Sequence, residues 1–307
     1  MTRAYAAVAD DAARRLVAAG FAPDEARTDA GVLVRSVLGW TTAAWLARLR
    51  DPAPDDLLTR LEPLIVRRAR REPVAYLTGE REFYGRTFRV TPDVLIPRPE
   101  TELVVEAALR TLREMFPAAG GGPSTSLGPG RQAAGRVVDI GTGSGCIAVS
   151  IASERPDVDV IATDISSAAL AIARDNASRL GGRVEFVQGS LFAGQPGPWD
   201  VVVSNPPYIA RADRAALPAD VRDYEPETAL FGGDDGLDVI RALVVEAAEA
   251  LRPGGALIME IGAGQGVVAL LLAARLFVDI HVQKDLQRIP RVVVARRRHT
   301  ADGRRQK

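Results

Sequence analysis

The residues best suited to chemistry are four in a row, Asn205-Pro206-Pro207-Tyr208, which directly follow the apolar run DVVVS. An amide nitrogen is a poor nucleophile because its lone pair is delocalised, so it must be held with that lone pair aimed at an electrophile. The Asn205 side-chain oxygen and the Pro206 carbonyl can accept hydrogen bonds from such an NH2 group. The prolines hold both acceptors, since proline fixes its own φ and restricts the residue before it. Tyr208 can stack on a flat amide or base, so the tetrad favours methylation of a planar nitrogen.

A glycine-rich turn lies earlier in the chain, where VVDI runs into Gly141-Thr142-Gly143-Ser144-Gly145 and then into a helical pattern. Glycines permit a tight turn and a close approach of backbone to ligand. A dinucleotide fingerprint needs a third glycine or alanine where this chain has Cys146. The spacing therefore predicts a nucleoside ligand without a pyrophosphate. S-adenosyl-L-methionine fits this description, and its sulfonium needs neither a metal nor a strong base.

The tetrad taken alone has an alternative interpretation. It could be a rigid loop without a catalytic role, because Pro-Pro pairs are common in loops.

Two further positions complete the predicted cofactor site. Asp164 ends the next predicted strand, about twenty residues on, where a carboxylate can accept both ribose hydroxyls. Its alternative role is an N-cap for the helix that starts near Ser166. Ser190 and Leu191 follow the third predicted strand and should lie beside the adenine, with Leu191 covering one face. An acid often occupies the place of Ser190 in such enzymes.

Strand and helix patterns alternate from about 100 to 290, which predicts an α/β fold with a mainly parallel sheet covered on both faces. The last two strands, VDIHVQ and RVVVAR, are joined by only DLQRIP. That connection is too short for a parallel crossover, so they should form an antiparallel hairpin. We expect a Rossmann-like, class I methyltransferase domain over 98–300, with its ligands at the carboxyl ends of the strands.

The segments before this domain differ in character. Residues 1–72 show apolar positions at helical spacing and predict a small helical bundle, packed by Trp40 and Trp45. Residues 73–97 contain EREFY and TFRVT around Tyr84-Gly85-Arg86-Thr87, which predicts a β-hairpin linker.

Composition narrows the function classes. Acidic and basic residues balance at 39 each, which argues against a protein held to nucleic acid by phosphate neutralisation. The one cysteine and two histidines predict no disulfide and no metal site. The N-terminus has no signal-peptide pattern and no apolar run approaches membrane-spanning length, so the expected location is cytoplasmic. The Gly/Ser/Pro run at 120–130 predicts a flexible loop, and 301–307 a basic tail.

Longer stretches carry a resemblance to a known family. They are REPVAYLTGEREFYG, LIPRPETE, VVDIGTGSGCIA, VSNPPYI and VRDYEPETALFGGDDGLD. On these the chain resembles the PrmC family, also called HemK, of release factor glutamine-N5 methyltransferases. The matches cover most of the chain after residue 70. NPPY alone is shared with adenine-N6 methyltransferases.

The resemblance implies a substrate, a cofactor and residue roles. The substrate would be the glutamine of the Gly-Gly-Gln motif in peptide chain release factors, and the helical domain would help to bind that partner. The residues expected to contact S-adenosyl-L-methionine are Gly141, Thr142, Gly143, Ser144, Gly145, Asp164, Ser190, Leu191 and Asn205. The residues expected to hold the glutamine are Asn205, Pro206, Pro207 and Tyr208. Arg98, Glu100 and Glu102 would either shape the pocket wall or form an ion pair and N-cap at the next helix.

Two other functions remain open on the sequence. Adenine-N6 methylation of DNA or RNA is supported by NPPY alone and opposed by the neutral charge. A non-catalytic protein that binds S-adenosyl-L-methionine is opposed by the intact tetrad. Ser190, in the place of an acid, is the departure from the family pattern that bears on cofactor binding.

Overall fold

The structure is a computed structural model that describes residues 3–117 and 133–299. Contacts divide the chain into two compact units. The first ends at Glu80 and also takes Pro218–Tyr224, and the second comprises Arg81–Leu217 and the chain from Glu225 onward. The loop predicted at 120–130 and the basic tail predicted at 301–307 lie outside the described residues. The predicted domain boundaries at 72 and 97 stay predictions.

The first unit is helical. Its helices are α1 (Tyr5–Ala18), α2 (Pro23–Leu38), α3 (Thr42–Arg48), α4 (Leu57–Ala69) and α5 (Val74–Thr78). The bounds of α2 follow from its sequence: Pro23 occupies the first turn, and Gly39 ends the helix in the left-handed conformation at φ 66°. Such a residue at the end of a helix satisfies carbonyls that have no partner within the helix.

The core of this unit is made by apolar helix faces, including Leu16, Leu33 and Leu61, which are at most 2% exposed. Trp40 packs against Tyr5 with ring centroids 4.7 Å apart, and Trp45 also packs against this core. The prediction that both tryptophans pack the bundle is confirmed. No single helix of the described residues is long and apolar enough to cross a membrane, although α2 and α3 together reach that length and hydropathy across a 99° bend.

The predicted hairpin is present between β1 (Glu80–Phe83) and β2 (Arg86–Arg89), which form a two-stranded sheet. Its turn is shorter than the four residues expected from the sequence, because β2 already begins at Arg86. Tyr84 and Gly85 both have positive φ, at 51° and 68°. Two consecutive positive φ values are typical of the two-residue turn whose twist matches that of paired strands.

The second unit is built on a seven-stranded sheet. Its strands are β3 (Arg136–Ile140), β4 (Asp159–Asp164), β5 (Val184–Gln188), β6 (Trp199–Ser204), β7 (Leu251–Glu260), β8 (Phe277–Lys284) and β9 (Pro290–Arg297). Their order is β5-β4-β3-β6-β7-β9-β8, in which β3 to β7 are parallel and β9 is antiparallel to both β7 and β8. The predicted parallel sheet with a terminal antiparallel hairpin is confirmed.

Helices cover both faces of this sheet. After α5 the chain forms α6 (Glu102–Met115), α7 (Cys146–Glu154), α8 (Ser167–Leu180), α9 (Ala219–Tyr224, in the first unit), α10 (Glu227–Leu230), α11 (Asp238–Ala250) and α12 (Gly266–Ala273). Alternate residues of β6 point to opposite faces: Val201 and Val203 join the core under α6 and α7, and Val202 joins the core under α11. Both layers therefore bury the sheet, as parallel strands require.

The parallel strands bring the predicted site residues to one edge. Ile140, the last residue of β3, is in register with Thr163 of β4 and with Ser204 of β6. Ser204 is in turn in register with Met259 of β7. The segments that leave these strands therefore start side by side at the carboxyl edge, where open α/β sheets bind ligands.

Candidate functional site

A cavity opens at this carboxyl edge, within the second unit. Its lining includes the predicted cofactor residues Gly141, Thr142, Gly143, Ser144, Asp164, Ser190, Leu191 and Asn205, together with Pro206 and Pro207. Gly145 and Tyr208 are not part of the lining. One cavity thus joins the glycine turn to the first three residues of the tetrad, which the sequence placed 60 residues apart along the chain.

The glycine turn is tied to the neighbouring strand through its backbone. The N–H groups of Gly141 and Thr142 both donate to the Thr163 carbonyl at 2.9 Å. Gly141 and Gly143 have positive φ, at 72° and 55°, and a Cβ added to either would meet no atom within 4 Å. The turn therefore needs glycine for its conformation, and it leaves open space where a ligand can approach the backbone.

Gly145 serves a different purpose. A Cβ at this position would lie 3.1 Å from Cβ of Ala173 on α8, and its φ is 81°. The lack of a side chain here lets α7 begin close against α8, which is the packing role of a third glycine in such turns. A direct cofactor contact by Gly145 stays a prediction.

Asp164 presents a fixed carboxylate to the cavity. Its Oδ2 accepts a hydrogen bond from the Gly143 N–H at 2.8 Å, and its Oδ1 accepts one from the Ser166 N–H at 2.9 Å. The cap of α8 is Ser166, whose hydroxyl accepts from Ala169 N–H at 3.1 Å. The alternative in which Asp164 caps this helix is therefore wrong. Each carboxylate oxygen retains acceptor capacity for a ligand hydroxyl.

The Thr142 side chain makes a hydrogen bond beneath the glycine turn. Its hydroxyl donates to Oδ2 of Asp139 at 2.6 Å, and both side chains are buried. Burial raises the pKa of the Asp139 carboxyl to about 7, against the lowering effect of the hydrogen bonds from Thr142 and from the Ala148 N–H. The Thr142 proton is thus engaged beneath the turn, while Thr142 also lines the cavity. Asp139 is not among the predicted site residues, although it lies in the strand that leads into the turn.

Asn176 is a second residue that sequence reasoning missed. It is fully buried on α8, and its side-chain amide donates to the Ser144 carbonyl at 2.9 Å and to the Arg89 carbonyl at 3.0 Å. Its oxygen accepts from the Arg89 N–H at 2.7 Å. One amide therefore fastens both the glycine turn and β2 to α8. The signal for it is a buried polar residue in an otherwise apolar helix face, which a single sequence does not distinguish from an exposed one.

The Ser190-Leu191 corner is shaped by its backbone. Leu191 has a positive φ of 46°, and its carbonyl accepts a 2.5 Å hydrogen bond from the Thr163 hydroxyl. The Gly189 N–H donates to the Asp164 carbonyl at 2.9 Å. Leu191 is half-buried at the cavity wall, whereas Ser190 is exposed. The corner offers an apolar surface and a hydroxyl, but no acid.

The tetrad begins where β6 ends. Asn205 is half-buried, and its Nδ2 donates to the Thr101 hydroxyl at 3.1 Å, which leaves its Oδ1 as the free acceptor. Thr101 donates in turn to Oε2 of Glu260 at 2.6 Å. Tyr208 is directed to the same carboxylate: its hydroxyl lies 3.4 Å from Glu260 Oε1. Burial raises the pKa of Tyr208 well above its usual value.

Two glycines of the run FGGDDGL let the backbone of that run pack closely against the backbone of the tetrad. A Cβ at Gly232 would lie 2.4 Å from the Pro207 carbonyl oxygen, and one at Gly236 would lie 2.2 Å from that of Tyr208. Ile209 donates its N–H to the Leu230 carbonyl and accepts from the Gly232 N–H, both at 3.0 Å. The close fit explains why this run must contain glycine.

The run RPETE contributes to the cavity lining and also contacts residues that are distant in the sequence. Arg98 lines the cavity and pairs with the buried Glu225 at 2.5 Å. Glu225 also accepts the Ile96 N–H at 3.4 Å. Glu102 accepts the Tyr84 N–H at 2.8 Å. The ion pair of Arg98 is therefore with a residue 127 positions away rather than with the start of the next helix.

Metal-binding residues do not cluster in residues 3–117 and 133–299: no group of three His, Cys, Asp or Glu side chains is placed to hold an ion. Cys146 is buried, and burial raises the pKa of its thiol to about 12. A thiol in that state is a poor nucleophile and a poor metal ligand.

Comparison with known proteins identifies the family. The PrmC N-terminal domain model matches residues 8–79 and the Methyltransferase small domain model matches residues 128–219. A "Release factor glutamine methyltransferase" of Cereibacter sphaeroides is 45% identical over 92% of this chain and 94% of its own length. One of Neisseria gonorrhoeae is 43% identical over 88% of this chain and 93% of its own. These relatives do not support adenine methylation.

A solved structure agrees with the fold. The hMettl16 catalytic domain, determined in complex with MAT2A 3′UTR hairpin 6, aligns with a TM-score of 0.50 at 14% identity, over 78% of this chain and 81% of that chain. At that identity the likeness shows the fold alone. The sheet order, the matched models and relatives above 40% identity over most of the chain agree. The chain belongs to the release factor glutamine methyltransferase family of S-adenosyl-L-methionine-dependent protein methyltransferases.

Proposed function

We propose that this chain transfers the methyl group of S-adenosyl-L-methionine to the side-chain amide nitrogen, N5, of the glutamine in the Gly-Gly-Gln motif of peptide chain release factors. The observation that carries the proposal is the orientation of Asn205 in the cavity. Its Nδ2 is engaged by Thr101, so its Oδ1 is the atom left to accept from a substrate NH2 group. The names of the relatives support the choice of a release factor glutamine as that substrate.

The cavity residues fit the cofactor. The open space above Gly141 and Gly143 accommodates a ligand against the backbone, and the Asp164 carboxylate is oriented by two N–H groups to accept ribose hydroxyls. Ser190 and Leu191 would border the adenine. When bound, S-adenosyl-L-methionine supplies an electrophilic methyl group on a positively charged sulfur, which becomes a neutral thioether after transfer.

The residues of the tetrad would align the nucleophile. Asn205 Oδ1 and the Pro206 carbonyl accept the two hydrogens of the glutamine amide, which directs the nitrogen lone pair out of the plane of those bonds. The amide nitrogen gains one methyl group and releases one proton, so the positive charge of the sulfonium leaves as that proton. Positioning of this kind can supply roughly 7–11 kcal/mol. Tyr208 contributes through its backbone position and its hydroxyl, and stacking of its ring on the glutamine is part of the proposal.

The helical unit would bind the protein substrate. It matches the PrmC N-terminal domain model over residues 8–79, a segment separate from the predicted catalytic machinery. We expect neither stable binding to nucleic acid nor association with a membrane, and a cytoplasmic location, where release factors act.

The test is methyl transfer in a purified system. The chain is incubated with radiolabelled S-adenosyl-L-methionine and a bacterial release factor, and label on the protein is measured. Transfer should occur to the intact factor and should be lost when the glutamine of its Gly-Gly-Gln motif is replaced. Binding of the cofactor without transfer to the intact factor, or labelling of DNA or RNA instead, would contradict the proposal.

A further inference from the structure

The side-chain amide of Asn205 can work in only one of its two orientations. An asparagine amide carries an oxygen that accepts and an NH2 group that donates, and the two are similar in size. A substrate NH2 group needs the oxygen. If the amide turned by 180°, it would present a second NH2 group to the substrate and repel it. Something in the structure must therefore distinguish the two orientations.

The Thr101 hydroxyl is the contact that can do so. Its oxygen lies 3.1 Å from Asn205 Nδ2, and Thr101 is only 2% exposed, so water does not compete freely for this hydroxyl. A hydroxyl alone does not distinguish an amide oxygen from an amide nitrogen, because it can donate to the first or accept from the second. The orientation of the Asn205 amide therefore depends on the group to which the Thr101 hydroxyl donates its single proton.

Glu260 determines that direction. Its Oε2 lies 2.6 Å from the Thr101 hydroxyl, which donates its proton there, and Glu260 is 1% exposed. With its proton engaged, the Thr101 oxygen can only accept from Asn205. The second carboxylate oxygen accepts from the Tyr208 hydroxyl at 3.4 Å. A buried carboxylate costs free energy unless it is hydrogen-bonded, so its retention here calls for a role.

Each of the three residues is set by a different element. Asn205 follows β6, Glu260 ends the neighbouring strand β7, and Thr101 lies in the 3-10 turn Pro99–Thr101 that precedes α6. Since β6 and β7 are paired in parallel, with Ser204 opposite Met259, the residues after that pair emerge at the same level. Paired strands therefore place two members of the chain of contacts, and the turn before α6 places the third.

We infer that Thr101 and Glu260 are positioning residues which, through a one-directional chain of hydrogen bonds from Asn205 to Thr101 to Glu260, keep the Asn205 oxygen turned toward the substrate nitrogen. The inference rests on the proposed function; Thr101 also lines the cavity, whereas Glu260 is not part of its lining. The inference implies that the hydroxyl of Thr101 matters for turnover more than its methyl group does.

Two substitutions at Thr101 separate positioning from packing. Thr101→Val keeps the branched shape and removes the hydroxyl, whereas Thr101→Ser keeps the hydroxyl and removes the methyl group. The inference expects kcat of Thr101→Val to fall on the order of tenfold to a hundredfold, with a far smaller change in cofactor Kd. Thr101→Ser should retain kcat close to the wild-type value. A residue that only fills space gives the opposite order, and that result would overturn the inference.

Glu260→Met provides a second variant, which keeps much of the side-chain length and removes both carboxylate acceptors. Without an acceptor at this place, the Thr101 proton is free to point at the Asn205 oxygen, which favours the wrong amide orientation. We expect kcat to fall, with the melting temperature and cofactor Kd checked in parallel. If Thr101→Val fails to fold, wild-type turnover in folded Glu260→Met would overturn the inference. The wild-type chain serves as reference: no methylation by it would refute the proposed function, whereas active wild-type and equally active variants would refute only the positioning chain.

Discussion

The backbone N–H of Gly143 donates a 2.8 Å hydrogen bond to Oδ2 of Asp164, so that the glycine turn and the carboxylate at the end of β4 hold each other in place. The partner oxygen, Oδ1, is fixed by the Ser166 N–H at 2.9 Å. A carboxylate restrained at both oxygens is oriented before any ligand arrives. Preorganisation of this kind raises affinity because less freedom is lost on binding.

Asp164→Ala should weaken the binding of S-adenosyl-L-methionine. Loss of hydrogen bonds to a charged group typically costs about 1.5–3 kcal/mol, which corresponds to a roughly 10- to 150-fold rise in Kd. Isothermal titration calorimetry would measure it. Asp159→Ala is a matched control, since Asp159 begins the same strand at the opposite end and is exposed. Equal affinities in the wild type and Asp164→Ala would rule out the ribose role.

Asn205→Ala should largely abolish methyl transfer and leave the fold intact. The variant removes one of only two proposed acceptors for the glutamine amide, and removal of a single preorganised hydrogen-bonding group from an active site typically lowers kcat about 10²- to 10³-fold. Single-turnover transfer to a release factor is the measurement, with thermal unfolding as the check on folding. Near-normal turnover in this variant would be incompatible with the amide-holding mechanism.

Gly236→Ala should damage both stability and turnover. The new Cβ would lie 2.2 Å from the Tyr208 carbonyl oxygen at a φ of 75°. Left-handed backbone costs an alanine about 1–2 kcal/mol, and overpacking typically adds about 1–3 kcal/mol. The sum predicts a loss of about 2–5 kcal/mol in the free energy of unfolding, to be measured by urea denaturation.

Gly31→Ala is the control for this substitution. Gly31 lies inside α2, where an added Cβ meets nothing within 4 Å and φ is ordinary. Alanine should therefore stabilise that helix by about 0.5–1 kcal/mol. Similar effects of the two alanine substitutions would show that the close packing around the tetrad is not the cause.

Stability should depend on pH through Glu260. Burial is the largest influence on this carboxyl and raises its pKa from an ordinary 4.5 to about 7, against the lowering effects of Thr101, Tyr208 and Arg291; Glu100 raises it further. The folded state therefore binds the proton more tightly than the unfolded chain. Between pH 4.5 and about 7 the contribution of Glu260 to the free energy of unfolding must decline as the pH rises.

Glu260→Gln isolates that contribution. Asp139 has a raised pKa in the same range, so the wild-type curve contains both groups. Subtracting the curve of the variant leaves the part that belongs to Glu260. The difference, wild type minus variant, should become less favourable as pH rises from 4.5 to about 7. Parallel curves from urea denaturation at a series of pH values would contradict the raised pKa.

The sequence predicted the parts of the site that depend on local pattern. The glycine spacing, the carboxylate of Asp164 and the position of Asn205 after a strand are all readable, because parallel strands deliver their carboxyl ends to one edge. The contacts of Thr101 with Glu260 and of Arg98 with Glu225 were not readable. These pairs are 159 and 127 residues apart, and only the three-dimensional sheet brings them together.

Other features of the site have local physical causes. Thr142 lines the cavity and its contact with the cofactor stays a prediction, while its hydroxyl donates to the buried Asp139 carboxyl, which needs a donor. For Gly145 a cofactor contact likewise stays a prediction, while its missing side chain serves the packing of α7 on α8. Glu260 carries a signal that the sequence does contain, because it is a carboxylate that follows the apolar run ALIM, and in the structure it ends β7 at the same edge as Asn205.

The most direct test of the central claim is to locate the transferred methyl group. A bacterial release factor is incubated with this chain and S-adenosyl-L-methionine, digested, and analysed by tandem mass spectrometry. We predict one added methyl group on the side chain of the glutamine in the Gly-Gly-Gln motif, and at least about 100-fold less of it in the same short incubation when Asn205→Ala replaces the wild-type chain. A methyl group on any other residue, or an unmodified glutamine after prolonged incubation with cofactor-binding enzyme, would contradict it.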